Sequence, residues 1–315
     1  MACSLITVTP NPSLDLLFTA PRLAWDDANR LPAPRRRPGG QGVNVVRAGV
    51  VLGLRGLAVA PLGGGVGREL AETLAAEGTP HVAVPVAGET RVFVGVREVE
   101  TGRNLLLNPR GEEAGGDDPV RLLEAVAAAL REHAPAWVAS CGSLPPGYPE
   151  DFHARVGALA RKAGARFVPD ADGAGLAAAA ADGCQLLVPN VHEAERLLGR
   201  RVEGVADAVA AARALVARYG APLAAVTLGE GGAVAATADG AWHVPALPGG
   251  EGSAVGAGDA FLAALIDALL RGQETPEALR CGVAAGTAVL AATGAAILDR
   301  PVYEAALAAA VATRY

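Results

Sequence analysis

Lysine is almost missing from this 315-residue chain: Lys162 stands alone, and arginine supplies the other positive charges. Lysine-dependent chemistry is thereby removed, including a Walker A loop, which needs Gly-Lys-Ser/Thr. Aromatic residues are 4% of the chain, while Gly alone contributes 40 residues, a composition suited to close backbone packing. The four cysteines, Cys3, Cys141, Cys184 and Cys281, lie far apart with no C-x-x-C pair and no neighbouring histidine. That spacing suggests neither a zinc site nor a disulfide framework, and it fits a reducing, cytoplasmic setting. Basic residues are outnumbered 33 to 27, giving a net charge of -6. With no broad basic surface to neutralise phosphates, a nucleic-acid partner is not expected.

A signal peptide is not expected either, because residues Met1 to Pro10 carry no basic segment and no long apolar stretch and read as a strand. The stretch from Cys281 to Leu298 has no charge, but it is Ala-rich and interrupted by Gly282, Gly286 and Gly294. It reads as a tightly packed buried helix rather than a membrane span.

What is present is a rhythm. Apolar, β-rich runs recur at 57–60, 137–139, 166–169, 185–188 and 223–227, with helical stretches between them. Asp118-Pro119 caps and opens one helix, with Leu122, Leu123, Val126 and Leu130 at a 3.6 period. Phe261, Leu262, Leu265, Ile266, Leu269 and Leu270 mark another, stopped by Gly272. Alternating strands and helices argue for a mostly parallel sheet covered on both faces. Two segments break the rhythm: residues 91–107 alternate as a hairpin around Glu100-Thr101-Gly102-Arg103, and residues 14–38 form a Pro- and Arg-rich excursion. Together they read as a small lid on a single domain spanning 1–315, since no linker or repeat divides the chain. A further hairpin over 233–244 turns at Asp239-Gly240.

Two glycine-rich turns could carry chemistry. Gly256-Ala257-Gly258-Asp259 sits directly before an amphipathic helix, where backbone N-H groups and the helix N-terminus favour an anion such as phosphate. Asp259 lies beside that point and could accept a proton from an attacking hydroxyl; read alone, it is also an ordinary first-turn acid. Pro38-Gly39-Gly40-Gln41-Gly42-Val43-Asn44 opens another helix, with an expected apolar face of Val43, Val46, Val50 and Leu54. Its glycines allow close approach of a small polar ligand, and Asn44 can bind sugar hydroxyls as donor and acceptor. Gly65-Val66-Gly67 and Gly229-Glu230-Gly231 both lack the third glycine of a dinucleotide fingerprint.

The two turns as a pair, Gly39 to Asn44 and Ser253 to Phe261, resemble the two signatures of the ribokinase-like (PfkB) carbohydrate kinases. Further landmarks occur in order between and around them: Thr9 to Asp15, Glu89-Thr90-Arg91, Gly142-Ser143-Leu144-Pro145-Pro146-Gly147, Pro189 to Glu193, and Thr227 to Gly232. The Asn-Pro-Ser-Leu-Asp and Gly-Ser-Leu-Pro-Pro-Gly stretches are most similar to the branch comprising 1-phosphofructokinase, tagatose-6-phosphate kinase and the minor 6-phosphofructokinase. The resemblance implies an α/β fold, a ribokinase-like three-layer α/β/α sandwich with a mostly parallel central sheet and a small β-sheet lid. It implies ATP-dependent phosphorylation of a ketohexose phosphate, fructose 1-phosphate first and tagatose 6-phosphate or fructose 6-phosphate next, with ATP and Mg²⁺ as cofactors. Asp259 matches the catalytic base, and Gly256, Ala257 and Gly258 the anion hole. Asp15, Gly39, Gly40 and Asn44 match sugar-binding positions, and Arg91 the residue for the substrate's existing phosphate. Asn190 and Glu193 match the Asn-x-x-Glu motif for Mg²⁺ and nucleotide phosphates, through water; Thr227, Gly229 and Gly232 match the loop that receives ATP. A homodimer through the lid is also implied.

The chain departs from the pattern at three places. Gln41 and Val188 stand where lysine is common, and Ser253-Ala254 replaces the more usual pair of hydroxyl residues. Either Arg91, Arg110 or the Arg35-Arg36-Arg37 run compensates, or the substrate is an unphosphorylated sugar or nucleoside; the arginine run by itself reads as a solvated lid surface. A catalytically silent sugar or nucleotide sensor on the same fold is the remaining alternative. Asn190 and Glu193 could equally form an ordinary helix N-terminus, Cys141 reads as a small packing residue, and His192 as exposed and incidental.

Overall fold

The computed structural model describes residues 3–248, 255–291 and 297–315. Its first part contains β1 (Leu5–Val8), β2 (Ser13–Ala20), β3 (Arg35–Gly39), α1 (Gln41–Leu52), β4 (Gly56–Leu62), α2 (Gly64–Ala76) and β5 (His81–Pro85). Then come β6 (Arg91–Glu98), β7 (Asn104–Leu107), α3 (Asp118–His133), β8 (Trp137–Cys141), α4 (Phe152–Lys162) and β9 (Arg166–Asp170). The chain continues through α5 (Gly173–Ala181), β10 (Leu186–Leu187), α6 (Val191–Leu198), α7 (Gly204–Tyr219), β11 (Leu223–Thr227), β12 (Ala233–Ala236) and β13 (Ala241–Val244). It closes with α8 (Ala257–Leu270), α9 (Thr275–Ala291), α10 (Arg300–Ala309) and β14 (Thr313–Arg314).

Five parallel strands in the order β5-β4-β1-β8-β9 form the central sheet. A second sheet, β10-β11-β12-β13-β14, is parallel at β10-β11 and antiparallel beyond. The two meet where Gln185 N donates to the Phe167 carbonyl at 2.9 Å. Because successive strand side chains point to opposite faces, Ile6, Val8 and Val138 join one buried cluster with α3, α4 and α7. Leu5, Trp137 and Ala139 join another with α1, α8 and α9. Helices therefore cover both faces, giving three layers, as burial of an all-parallel sheet requires.

The segments at 13–39 and 91–107 combine into a separate four-stranded sheet, β3-β2-β6-β7, in which β2 and β6 run parallel. The hairpin at 233–244 forms β12 and β13.

Three expectations need correction. Asp118 is the first residue of α3 and not its cap; its carboxylate accepts from Gly115 N and Arg121. The expected face of α1 fails at Val50, which is 38% exposed, while Gly42 to Gly49 are all buried. Helix α1 is wedged between the central sheet and α8, so both its sides are covered and a single apolar stripe is lost. Helix α9 begins at Thr275, ahead of Cys281, and is described to Ala291; Gly294 and the Ser253-Ala254 departure lie outside the described residues. Among the described residues no helix is long and apolar enough to cross a membrane.

Candidate active site

The carboxyl ends of β1, β8, β9, β10 and β11 deliver Asn11, Ser143, Asp172, Asn190 and Thr227 to one side of the molecule, where open α/β sheets place their ligands. Two helices and the small sheet bring in the rest. Gly256 precedes α8 in the left-handed region, at φ 93°, a conformation that costs a residue with a Cβ. The first helical bond runs from Ala260 N to Gly256 O, so the amides of Ala257, Gly258 and Asp259 precede it and have no intrahelical acceptor. A Cβ added at Gly258 would meet nothing within 4 Å, so there is open space beside the turn at that residue.

Asp259 is 7% exposed and accepts from Asn44 Nδ2 at 2.9 Å. The amide's orientation is set by Arg47, whose Nη1 donates to Asn44 Oδ1 at 3.2 Å and leaves Nδ2 for Asp259. Arg47 is itself fixed by Glu77 at 2.7 Å and by the Pro38 carbonyl. Burial pushes the Asp259 carboxyl up to about 7, with Asp15 adding to the rise while Asn44 and Arg37 oppose it. A carboxyl poised near neutrality suits general-base work.

Asp15 projects from β2 and is 3% exposed. Ser13 Oγ donates to its Oδ1 at 2.7 Å. Burial raises its pKa, opposed by Ser13 and then by Arg37, Arg91 and Arg47. Gly39 and Gly42 leave room inside the protein: a Cβ on Gly39 would lie 2.0 Å from Asp15 Oδ1, and one on Gly42 2.5 Å from Thr9 Oγ1. Gly40, at φ 106°, is the glycine of this turn that borders the cavity. Arg91 spends its guanidinium on the Asn11 carbonyl (2.9 Å), the Pro109 carbonyl (3.1 Å) and Asn108 Oδ1. Asp15, Gly40, Gln41, Asn44, Arg91, Glu193, Gly256, Gly258 and Asp259 all border one cavity of about 420 Å³.

A larger cavity of about 850 Å³ adjoins it, bordered by Asn190, Thr227, Gly229, Gly232, Ala257 and Gly258 together with the apolar Leu247, Phe261, Val283 and Leu290. Gly258 borders both, so the turn before α8 is their common wall. Asn190 and Glu193 form a reciprocal capping box on α6: Asn190 Oδ1 accepts from Glu193 N at 3.0 Å, and Glu193 Oε2 accepts from Asn190 N at 2.9 Å. The structural role therefore exists alongside any ligand role. Among the described residues no group of three or more His, Cys, Asp or Glu side chains is gathered to enclose a metal. Glu193 on the smaller cavity and Asn190 on the larger suit a hydrated cation shared with phosphates rather than a protein-caged one.

Three residues near the site, Asn11, Ser13 and Asp170, were not singled out in the sequence, and a fourth, Arg37, was read there only as one of the arginine run. Asn11 donates to the Arg110 carbonyl and to Ser143 Oγ, closing the cavity rim. Ser13 orients Asp15, as above. Asp170, ending β9, has its carboxyl raised to about 8, first by burial and then by Asp259 and Glu193; a carboxylate at the carboxyl end of a buried strand was the available signal. Arg37 is only 7% exposed, so the arginine run is not a uniformly solvated surface: β3 turns Arg37 inward, while Arg36 is exposed and pairs with Glu69. Val188 is buried in the core and offers nothing to either cavity; Cys141 is buried beside Asp170, and His192 is exposed.

Known proteins share this architecture. The pfkB family carbohydrate kinase profile matches residues 12–301. The 1-phosphofructokinase of Rhodobacter capsulatus is 38% identical over 300 residues, covering 93% of this chain and 92% of that protein. ATP-dependent 6-phosphofructokinase isozyme 2 of Mycobacterium tuberculosis is 34% identical over 299 residues, covering 94% and 86%. The crystal structure of phosphofructokinase-2 from Escherichia coli in complex with substrates and products superposes with a TM-score of 0.90 at 31% identity, covering 97% and 98%. The three layers, the small accessory sheet and the two glycine-rich turns thus have one explanation: the chain belongs to the pfkB family of carbohydrate kinases.

Proposed function

We propose that this kinase transfers the γ-phosphoryl group of ATP to a hydroxyl of a ketohexose phosphate, with fructose 1-phosphate the first candidate and tagatose 6-phosphate or fructose 6-phosphate next. The observation that carries the reading is the position of Asp259, buried beside the wall that the two cavities share at Gly258. A sugar in the smaller cavity would present its hydroxyl to Asp259, and a nucleotide in the larger one would bring its terminal phosphate to the Ala257 and Gly258 amides. Asp259 takes the hydroxyl proton, and the amides hold the charge that develops on the transferring group. Asp15 and Asn44 orient the sugar, while Thr227, Gly229 and Gly232 border the nucleotide. Mg²⁺ bound with ATP neutralises phosphate charge, and Asn190 and Glu193 would hold it through its water shell. The four-stranded sheet acts as a lid that excludes water from the sugar. Its outer strand β7 exposes Leu106 and Leu107 by about half, a surface for pairing with a second copy of the chain.

A second reading, an unphosphorylated sugar as substrate, is favoured by one observation. Gln41 is the neutral residue at the cavity where a lysine charge would stand, and the Arg91 guanidinium is already engaged by Asn11, Asn108 and Pro109. ADP release with MgATP against fructose 1-phosphate, fructose 6-phosphate, tagatose 6-phosphate, free fructose and ribose separates the two. Preference for one sugar phosphate supports the first reading. Turnover confined to free sugars supports the second, and turnover with none moves a silent sensor, or an acceptor outside this panel such as a nucleoside, to the front.

A further inference from the structure

We infer that Arg37 is a positioning residue of the sugar site, holding Asp15 in its charged form and tying the small sheet to the turn that precedes the phosphoryl-binding amides. The inference rests on the reading of Asp15 as a sugar ligand and asks what keeps that ligand competent.

Strand register comes first. Arg37 on β3 lies directly opposite Asp15 on β2, and Gly39 lies opposite Ser13. Residues two apart share a face of a sheet, so Arg37, Asp15, Ser13 and Gly39 belong to one surface, the one that borders the sugar-side cavity through Ser13 and Asp15. Gly39 lets Asp15 lean over it, with Oδ1 held by Ser13 and Oδ2 facing Arg37 Nε at 3.8 Å. Both side chains are nearly closed to solvent, at 8% and 5% exposure. An ion pair so placed carries a large desolvation cost.

Two details separate this arginine from a structural strut. Its Nε is buried with no hydrogen-bond partner, although it faces a carboxylate. Its Nη2 reaches across to the Val255 carbonyl at 3.4 Å, one residue before Gly256. One side chain thereby spans from the sugar-binding strand to the phosphoryl-binding turn. The groups facing Asp15 are Ser13 on its own strand, Arg37, Arg91 on β6, Arg47 on α1 and Asp259 on α8. Arg47 and Arg91 are held by other partners, Glu77 and the Asn11 carbonyl respectively. Arg37 is thus the cation placed directly against Asp15, and it opposes the rise of both Asp15 and Asp259. Loss of its charge moves both carboxyls toward the protonated form, which accepts sugar hydroxyls and the reacting proton less well.

The test compares Arg37→Gln and Arg37→Lys with the parent protein in two measurements. Steady-state kinetics across pH, with the sugar that the parent turns over best, gives KM for each substrate and the acid limb of kcat/KM. Amide hydrogen exchange across residues 255–262 reads the tie to the turn without any ligand. Arg37→Gln is expected to raise the sugar KM by about tenfold or more, leave the ATP KM unchanged, shift the acid limb to higher pH and speed exchange in the turn. Arg37→Lys, which keeps the charge but not the second reach, is expected to restore the acid limb and leave exchange fast. Parental sugar KM and acid limb in Arg37→Gln overturn the inference, as does an equal rise in both KM values with an unmoved limb. Absence of turnover in the parent defeats the kinase reading instead, and the exchange measurement then decides the tie alone: parental exchange in Arg37→Gln overturns it.

Discussion

At the scale of single residues, the site is organised by which atoms are left without room. Gly39 is the clearest case, since a methyl group there would occupy the position of Asp15 Oδ1. Gly39→Ala is expected to displace Asp15 and raise the sugar KM about tenfold or more, the usual worth of a hydrogen bond to a charged group. The ATP KM should hold, because Gly39 does not border the larger cavity; parallel KM determinations check both. Much at this scale was legible in the sequence. Asp259 beside paired glycines, Asn44 one turn into its helix and Asp15 after Asn-Pro-Ser all border the smaller cavity together. The sequence did not show that Gly39 and Gly42 also make room for the protein's own Asp15 and Thr9. Arg37 was illegible because three consecutive arginines look alike until strand register decides which of them turns inward.

At the scale of elements, helix N-termini do the positioning. The capping box on α6 fixes the orientation of Asn190 and Glu193 at the mouth of the two cavities. Asn190→Ala is expected to lower stability by about 1 kcal/mol, the worth of a side-chain cap. It should also raise the ATP KM while sparing the sugar KM, which thermal melts and nucleotide titrations would show. Loss of stability with both KM values unchanged would confine Asn190 to its capping role. The strands and helices themselves were largely readable from apolar periodicity, including both hairpins. The buried face of α1 was not, because a helix covered on two sides has no polar face for periodicity to reveal. Strand β10 shrinks to Leu186–Leu187 within the expected run at 185–188.

At the scale of the whole molecule, holding a buried carboxyl in the site costs stability in a pH-dependent way. Asp259 titrates at about 7 in the folded chain, above its ordinary value of 3.8. Between those values the unfolded chain ionises this group while the folded chain keeps its proton, so stability falls as pH rises, and the penalty is complete above about pH 7. Asp259→Asn, which carries no charge, is therefore expected to raise Tm more at alkaline than at acid pH. Calorimetry on both proteins across that range checks the sign. The three-layer architecture was foreseeable from alternating strands and helices, whereas the meeting of two cavities at Gly258 arises only when distant turns are brought together. That meeting point is the centre of the account, and the rate of phosphoryl transfer by Asp259→Asn, measured in a single turnover across pH, tests it most directly. With Asp259 as the base, the rate is expected to be lower by about 10²–10⁴-fold with both substrates still bound, and the parental rate to fall as pH drops below about 7. A variant that transfers phosphate at the parental rate, with the same pH dependence, would contradict it.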